Sequence, residues 1–447
     1  MANYLPNTPE EVKQMLATIG VPDIEELFRE IPASMRLNRP LDLPEGLSEA
    51  ETAQKLQDLS EQNFGADELS CFIGAGIYDH RIPLVLNHLL LRGDFFTAYT
   101  PYQAEIAQGT LQAIYEYQSL MCELTGMDIA NASMYEGATA FAEAANMALV
   151  HTNRKKLVVL ETVHPEYRAV TEGLVRHLGV DVVTLQVEDG VIDATRVAEA
   201  VDGNTAAVML QYPNFFGCLE DVAAICAIAK KAGALSIVST YPVALGILTP
   251  PGEFGADIVT GEGQSLGIPM GFGGPSLGFM AVRDPLMRKI PGRISGCTLD
   301  NRGQRGFVLT LQAREQHIRR EKASSNICSN QALMALNATI YMALLGREGM
   351  REVASHSMQK AHHLKKELSK LTGVQIPFSA PFFNEFVIQV PNAAKVLKKL
   401  ESEGILGGFL LETFYPRFKN HILVAVTEKR TIEEMDLYKH LLGGLSA

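Results

Sequence analysis

Residues 156–185 read KLVVLETVHPEYRAVTEGLVRHLGVDVVTL. Lys156–Leu160 is a short apolar run, Glu166–Leu178 has helical spacing, and Val180–Leu185 is a second apolar run. The same alternation continues on both sides. Helical patterns precede it at Thr110–Leu124 and Thr139–His151. After it come a helix at Asp193–Val201, a strand at Ala206–Leu210 and a helix at Asp221–Ala232 closed by Gly233. Further strands are expected at Leu235–Val238 and Ile258–Val259. Short apolar strands alternating with longer helices predict an α/β fold with a mostly parallel sheet covered on both faces.

The pattern changes towards both ends. A long helix is expected after Ser329 towards Leu345. Beyond it, strand Phe383–Val390, helix Ala393–Glu403, strand Ile422–Val426 and helix Thr431–Leu442 read as a compact α+β unit. At the other end, Thr8-Pro9-Glu10-Glu11 combines a capping box with proline at the first helical position, and Gly20 ends that helix. A second helix is expected at Ile24–Ile31, a proline-rich connector at 38–47, and a third helix capped by Ser48. The predicted organisation is an N-terminal helical arm (1–79), a large α/β domain (80–349) and a C-terminal small α+β domain (350–447).

With 447 residues, 47% of them apolar and 20% charged, the chain can bury a large core. A net charge of −12 argues against a nucleic-acid partner. The densest basic patch, Arg314–Lys322, is interleaved with Glu315 and Glu321 and reads as an ion-pair network around His317. Six cysteines are scattered without a CxxC, so neither a metal site nor a disulfide framework is expected; Cys328 reads as structural. The first residues show no signal peptide, and no apolar stretch is long enough to span a bilayer. A cytoplasmic location without membrane contact is the expectation. The glycine pairs at Gly74–Gly76 and Gly271–Gly273 do not complete a GxGxxG, and no GxxxxGK[ST] occurs, which excludes a standard nucleotide loop.

Between Lys231 and Lys289 there is no lysine. Inside that gap, Gly261-Glu262-Gly263-Gln264-Ser265-Leu266-Gly267-Ile268-Pro269 resembles the cofactor-lysine loop of a fold-type-I pyridoxal-phosphate (PLP) enzyme, with Gln264 where the lysine belongs. An amide nitrogen is not nucleophilic and forms no Schiff base. Such enzymes also need a carboxylate at the end of the strand after the 221–232 helix, to keep the pyridine ring protonated. That strand end reads Ile237-Val238-Ser239-Thr240-Tyr241, and no aspartate or glutamate occurs from Val222 to Gly252. The helix start Glu136-Gly137-Ala138-Thr139-Ala140 could cradle a phosphate, although Glu136 counts against an anion there. His164 follows a strand and could stack on a ring, whereas His362 and His363 read as a solvated helix face. The segment Thr97–Gly109 presents Tyr99, Thr100, Tyr102 and Gln103. It reads equally as a loop with satisfied hydroxyls or as one offering hydroxyls and amides to a small polar substrate across a subunit boundary.

Several motifs together resemble one family. They are YTPYQAEIAQG (99–109), LTGMDIANASMYEGATA (124–140), QYPNFFG (211–217), GEGQSLGIPMGFGGP (261–275) and REQHIRREKASSNICSNQAL (314–333), with RLNRPLDLPEGLSE (36–49) agreeing. The family is the glycine decarboxylase, or P-protein, of the glycine cleavage system. The resemblance is to the N-terminal half of the single-chain enzyme, or subunit 1 of the two-subunit bacterial form. It implies an aminotransferase-like large domain and a two-plus-two heterotetramer with a PLP-bearing subunit 2. This chain would bind no cofactor covalently. The complex would decarboxylate glycine and pass the aminomethyl group to the lipoyl arm of the H-protein. Tyr99, Thr100, Tyr102 and Gln103 would face the partner's pocket, with Asn131 and Ser133 as further candidates. Arg417 lies where related folds keep a carboxylate-binding arginine, but a surface ion pair is the expected role. A catalytically silent pseudoenzyme subunit and a PLP enzyme using another lysine remain alternatives at this point.

Overall fold

The computed structural model describes residues 6–323 and 325–446. The first five residues, read above for a targeting signal, and Ser324 of the 314–333 motif lie outside the described residues, as does Ala447. The chain divides into two compact units, residues 1–64 and 65–447.

In the first unit, helix Pro9–Ile19 begins as its capping box requires. The Thr8 hydroxyl accepts the Glu11 N–H, and Glu11 accepts the Thr8 N–H at 2.6 Å. Helix Glu49–Ser60 uses Ser48 and Glu51 in the same way. The helix expected at 24–31 is instead one 3₁₀ turn, Glu25–Phe28. Pro32 has no N–H to continue the ladder and disfavours a helical Ile31, and the Arg36 side chain folds back to donate to the Phe28 and Ile31 carbonyls at this end.

The second unit is built on a seven-stranded sheet. Its strands are β1 (Ile129–Ala130), β2 (Lys156–Leu160), β3 (Asp181–Leu185), β4 (Thr205–Tyr212), β5 (Leu235–Thr240), β6 (Ile258–Glu262) and β7 (Gly278–Val282). The order is β1-β7-β6-β5-β4-β2-β3. The neighbours from β6 through β5, β4 and β2 to β3 pair in parallel, while β7 is antiparallel to both β6 and β1. Residues 205–210 of β4 are all buried, because helices cover both faces. A charge placed there would have no partner and no water. Strands β1 and β7 were not anticipated. β1 has only two residues, and GFMAV of β7 follows a glycine-rich stretch that masks it.

This topology positions the site. The connection between β6 and β7 carries Gln264, and it turns back beside the start of helix Gly137–Thr152. There Gly278 approaches the Glu136 backbone so closely that a Cβ would lie 2.5 Å from its carbonyl oxygen.

Helix Ala332–Leu368 breaks at Gly346, next to the expected end at Leu345, and then resumes. Beyond it, β8 (Glu385–Gln389), β9 (Phe409–Leu410) and β10 (His421–Ala425) form an antiparallel sheet in the order β8-β10-β9. Helices Ala393–Glu401 and Ile432–Ser446 follow their expected positions, and Thr431 with Glu434 caps the last one. A separate apolar cluster containing Phe72, Phe386, Val424 and Tyr438 fills this region. No helix among the described residues is long and apolar enough to cross a membrane.

Candidate functional site

Gln264 is 4% exposed and fully engaged. Its Oε1 accepts the Tyr78 N–H at 2.9 Å, and its Nε2 donates to the Tyr78 carbonyl at 3.1 Å and the Ile268 carbonyl at 2.8 Å. A lysine could donate to those carbonyls but could accept nothing from Tyr78. The position has become a structural amide.

Two residues earlier, Glu262 faces the start of helix Gly137–Thr152. Its Oε2 accepts the Gly137 N–H at 3.0 Å, and its Oε1 accepts from Gln264 at 3.0 Å and Leu277 at 2.8 Å. Glu136 caps the same turn by accepting the Thr139 N–H at 2.9 Å. Burial raises the Glu262 carboxyl above its ordinary range, and the three N–H donors only partly offset this. The Tyr167 hydroxyl closes the remaining approach: a Cβ on Gly137 would lie 2.0 Å from it. The ring of Tyr167 stacks on His164 with centroids 4.9 Å apart. His164 donates from Nε2 to the Ala75 carbonyl and accepts the Glu166 N–H on Nδ1; burial lowers its basicity. A cleft of about 240 Å³ remains, lined by Glu136, His164, Tyr167, Glu262 and Gln264 among others.

The far side of Tyr78 is also polar and buried. Its hydroxyl donates to Glu385 at 2.7 Å, which also accepts the Ala75 N–H at 2.8 Å. Burial pushes the Glu385 carboxyl up to about 7, ahead of the lowering by those two donors. Tyr241 stacks on Tyr78 with centroids 4.1 Å apart and meets His80 Nε2. His80 Nδ1 pairs with Glu428 at 2.6 Å. Burial raises Glu428, but contact with His80 and donation from the Arg81 N–H together outweigh it and hold the carboxyl below its usual range.

The Tyr99 loop borders a different cleft, of about 330 Å³, with Thr100, Arg293 and the start of helix Ala332–Leu368. Tyr99 is 83% exposed and Tyr102 62% exposed, and the Arg293 guanidinium lies 5.9 Å from the Tyr102 ring centre. Gln103 is exposed at the edge of the loop. Asn131 and Ser133 are fully buried and do not line this cleft. Asn131 Nδ2 donates to the Pro291 carbonyl at 2.9 Å, and Ser133 Oγ accepts the Gln331 N–H at 3.0 Å. The structure therefore brings Tyr99 and Thr100 together, sets Tyr102 against Arg293, and uses Asn131 and Ser133 to anchor segments that carry the wall. Gln264 belongs to the other cleft.

Other expected residues resolve simply. Arg417 makes a two-pronged ion pair with Glu161, using Nη1 at 2.9 Å and Nη2, as an ion-pair role requires. The network expected over 314–322 does not form among the described residues: His317 Nδ1 lies 3.6 Å from Glu315, while Arg314 donates to the Ile290 carbonyl instead of a carboxylate. Cys328 gives its carbonyl to Arg293 and its N–H to the Tyr135 hydroxyl. His362 is not merely solvated: its ring stacks on Phe382 at 4.0 Å and Nε2 donates to the Phe382 carbonyl, because the strand leading into β8 passes beneath it. Sequence reading missed Glu262, Tyr167, Glu385 and Arg293. Only Glu262 left a signal, standing two residues before Gln264 on the same loop.

These residues do not suit PLP. The lysine is replaced by an amide in use, β5 ends without a carboxylate, and the helix start that would hold phosphate carries two of the chain's own carboxylates. The family model for the glycine cleavage system P-protein matches residues 2–441. The chain belongs to that family. A relative from Carboxydothermus hydrogenoformans, named probable glycine dehydrogenase (decarboxylating) subunit 1, is 52% identical over 99% of both chains. A crystal structure of glycine decarboxylase (P-protein) of the glycine cleavage system, in inhibitor-bound form, superposes with a TM-score of 0.90. It is 43% identical and covers 99% of this chain and 100% of that one. A sphingosine-1-phosphate lyase from Burkholderia pseudomallei shares the fold at a TM-score of 0.65 and 14% identity, covering 93% of this chain and 94% of that one. The P-protein fold here is thus the α/β fold of PLP-dependent type I enzymes.

Proposed function

We propose that this chain is subunit 1 of a cytoplasmic glycine decarboxylase and works beside a subunit 2 that carries PLP, as two plus two chains. The observation that carries the reading is the pair of self-made contacts at the cofactor position, Gln264 on Tyr78 and Glu262 on Gly137. In a chain that aligns end to end with proteins named subunit 1, they point to a division of labour.

PLP on the partner would supply the electron sink for loss of the glycine carboxyl as CO2. The aminomethyl group would then pass to one sulfur of the H-protein lipoyl disulfide, and the other sulfur would leave as a thiol. In this reading Tyr99 and Thr100 complete the partner's pocket, and Tyr102 and Gln103 border its entrance. Asn131 and Ser133 position the wall rather than touch substrate. The arm, large-domain and small-domain division at 79 and 349 is part of the same proposal.

Co-expression of this chain with the PLP-bearing subunit, followed by glycine/CO2 exchange assays on each alone and on the complex, tests the reading. Exchange only in the complex is expected. Exchange by either chain alone at the complex's rate would overturn it.

A further inference from the structure

The cleft beside Tyr99 and Thr100 combines two unusual features. Arg293 is only 6% exposed, and its one hydrogen bond among the described residues runs from Nη2 to the Cys328 carbonyl at 2.9 Å. The rest of its five N–H donors have no acceptor among the described residues. The second feature is the start of helix Ala332–Leu368. Its N-cap residue, Gln331, makes no side-chain cap, and intrahelical bonding begins with the Ala335 N–H on the Gln331 carbonyl. The N–H groups of the first turn, including those of Ala332 and Leu333 on the cleft wall, are therefore left open. In a chain of net charge −12, none of the described residues that line this cleft is acidic.

The contrast with the other helix start is instructive. At Gly137 the terminus is neutralised by Glu136 and Glu262. At Ala332 the terminus is open, and a buried guanidinium adds a full positive charge beside the helix dipole.

We propose that this cleft is an oxyanion site, in which Arg293 and the first turn of helix Ala332–Leu368 bind a carboxylate or a phosphate group. The inference deepens the proposed function and rests on it only for the anion's source. That source is either the carboxylate of glycine or a phosphate group on the partner's cofactor; both offer the planar or tetrahedral oxygens that a guanidinium fork grips.

The test is calorimetric titration of the full chain with inorganic phosphate and, separately, with glycine, at ionic strength fixed with chloride. Saturable binding of at least one is expected. Phosphate alone points to the cofactor group, and glycine alone to the substrate carboxylate. Arg293→Gln should weaken that binding about tenfold or more, the usual loss for a charge-assisted pair. Arg293→Lys should fall between, because it keeps the charge without the fork. Ala332→Pro removes one donor at a position where proline is well tolerated, and should weaken binding severalfold; it decides the matter if Arg293→Gln does not fold. Absence of saturable binding of both anions to the folded chain overturns the site, as does unchanged affinity in these variants. Because no partner is needed, the result stands apart from the fate of the complex assay.

Discussion

Gln264 clasps the backbone of Tyr78 from both sides, accepting its N–H at 2.9 Å and donating to its carbonyl at 3.1 Å. Restoring the lysine that the loop resembles would therefore do harm without restoring chemistry. Gln264→Lys leaves the buried Tyr78 N–H without an acceptor and adds a charge, at a cost of about 1–3 kcal/mol. Glu262 and Glu136 still occupy the helix start at Gly137. The expected outcome is a lower Tm and no borohydride-reducible visible band after incubation with PLP. Appearance of that band in the single variant would show that the carboxylates yield to phosphate.

Glu385 gives the protein a pH-dependent stability. Its carboxyl titrates near 7 in the folded chain, against an ordinary value of 4.5. Between those values the native state holds a proton that the unfolded chain has released, so stability falls as pH rises through the window. The shift corresponds to about 3 kcal/mol at most. Glu385→Gln keeps an acceptor for Ala75 and a partner for the Tyr78 hydroxyl, and it removes the titration. Its Tm should vary less than the wild type's between pH 5 and 8, with the difference favouring the variant at pH 8. Parallel Tm profiles for the two proteins would rule out the buried proton.

The sheet was legible because its strands are short apolar runs separated by helices; Lys156–Leu160 and Asp181–Leu185 lie where the pattern puts them. Caps were legible for the same local reason, since Thr8 and Glu11 are three residues apart. The site was legible only as an absence. A missing lysine and a missing carboxylate can be counted, but what replaces them comes from distant residues. Tyr78 meets Gln264, and Glu385 meets Ala75 and Tyr78, across intervals that no spacing rule covers. Arg293 was invisible because its significance lies in partners it lacks. The 24–31 helix was over-read because Pro32, directly after it, supplies no N–H and turns the preceding residue away from helix.

Gly74 is required by the Glu385 pocket. Its φ is +59°, and a Cβ there would fall 2.4 Å from Glu385 Oε1 and 2.3 Å from the Ala425 Cβ. Both the backbone strain and the overlap act in the folded state. Gly74→Ala should destabilise by about 2 kcal/mol or more, read as a shifted denaturation midpoint. A change within experimental error would mean that the segment around Ala75 can move away from β8 without loss.

The two sets of candidate residues should separate by readout. Tyr99 and Tyr102 are exposed, so Tyr99→Phe and Tyr102→Phe should leave the fold and assembly intact. If their hydroxyls meet substrate in the partner's pocket, each should lower kcat/KM for glycine exchange about tenfold, as loss of one hydrogen bond does. Asn131 is fully buried and holds the Pro291 carbonyl, two residues before Arg293. Asn131→Ala leaves that carbonyl unpaired and should cost about 1–3 kcal/mol in denaturation. Its effect on exchange should follow the lost stability and vanish at low temperature, where the variant stays folded. Unchanged kinetics in both tyrosine variants, with normal assembly, would remove the 97–109 loop from the active site and leave this chain a scaffold.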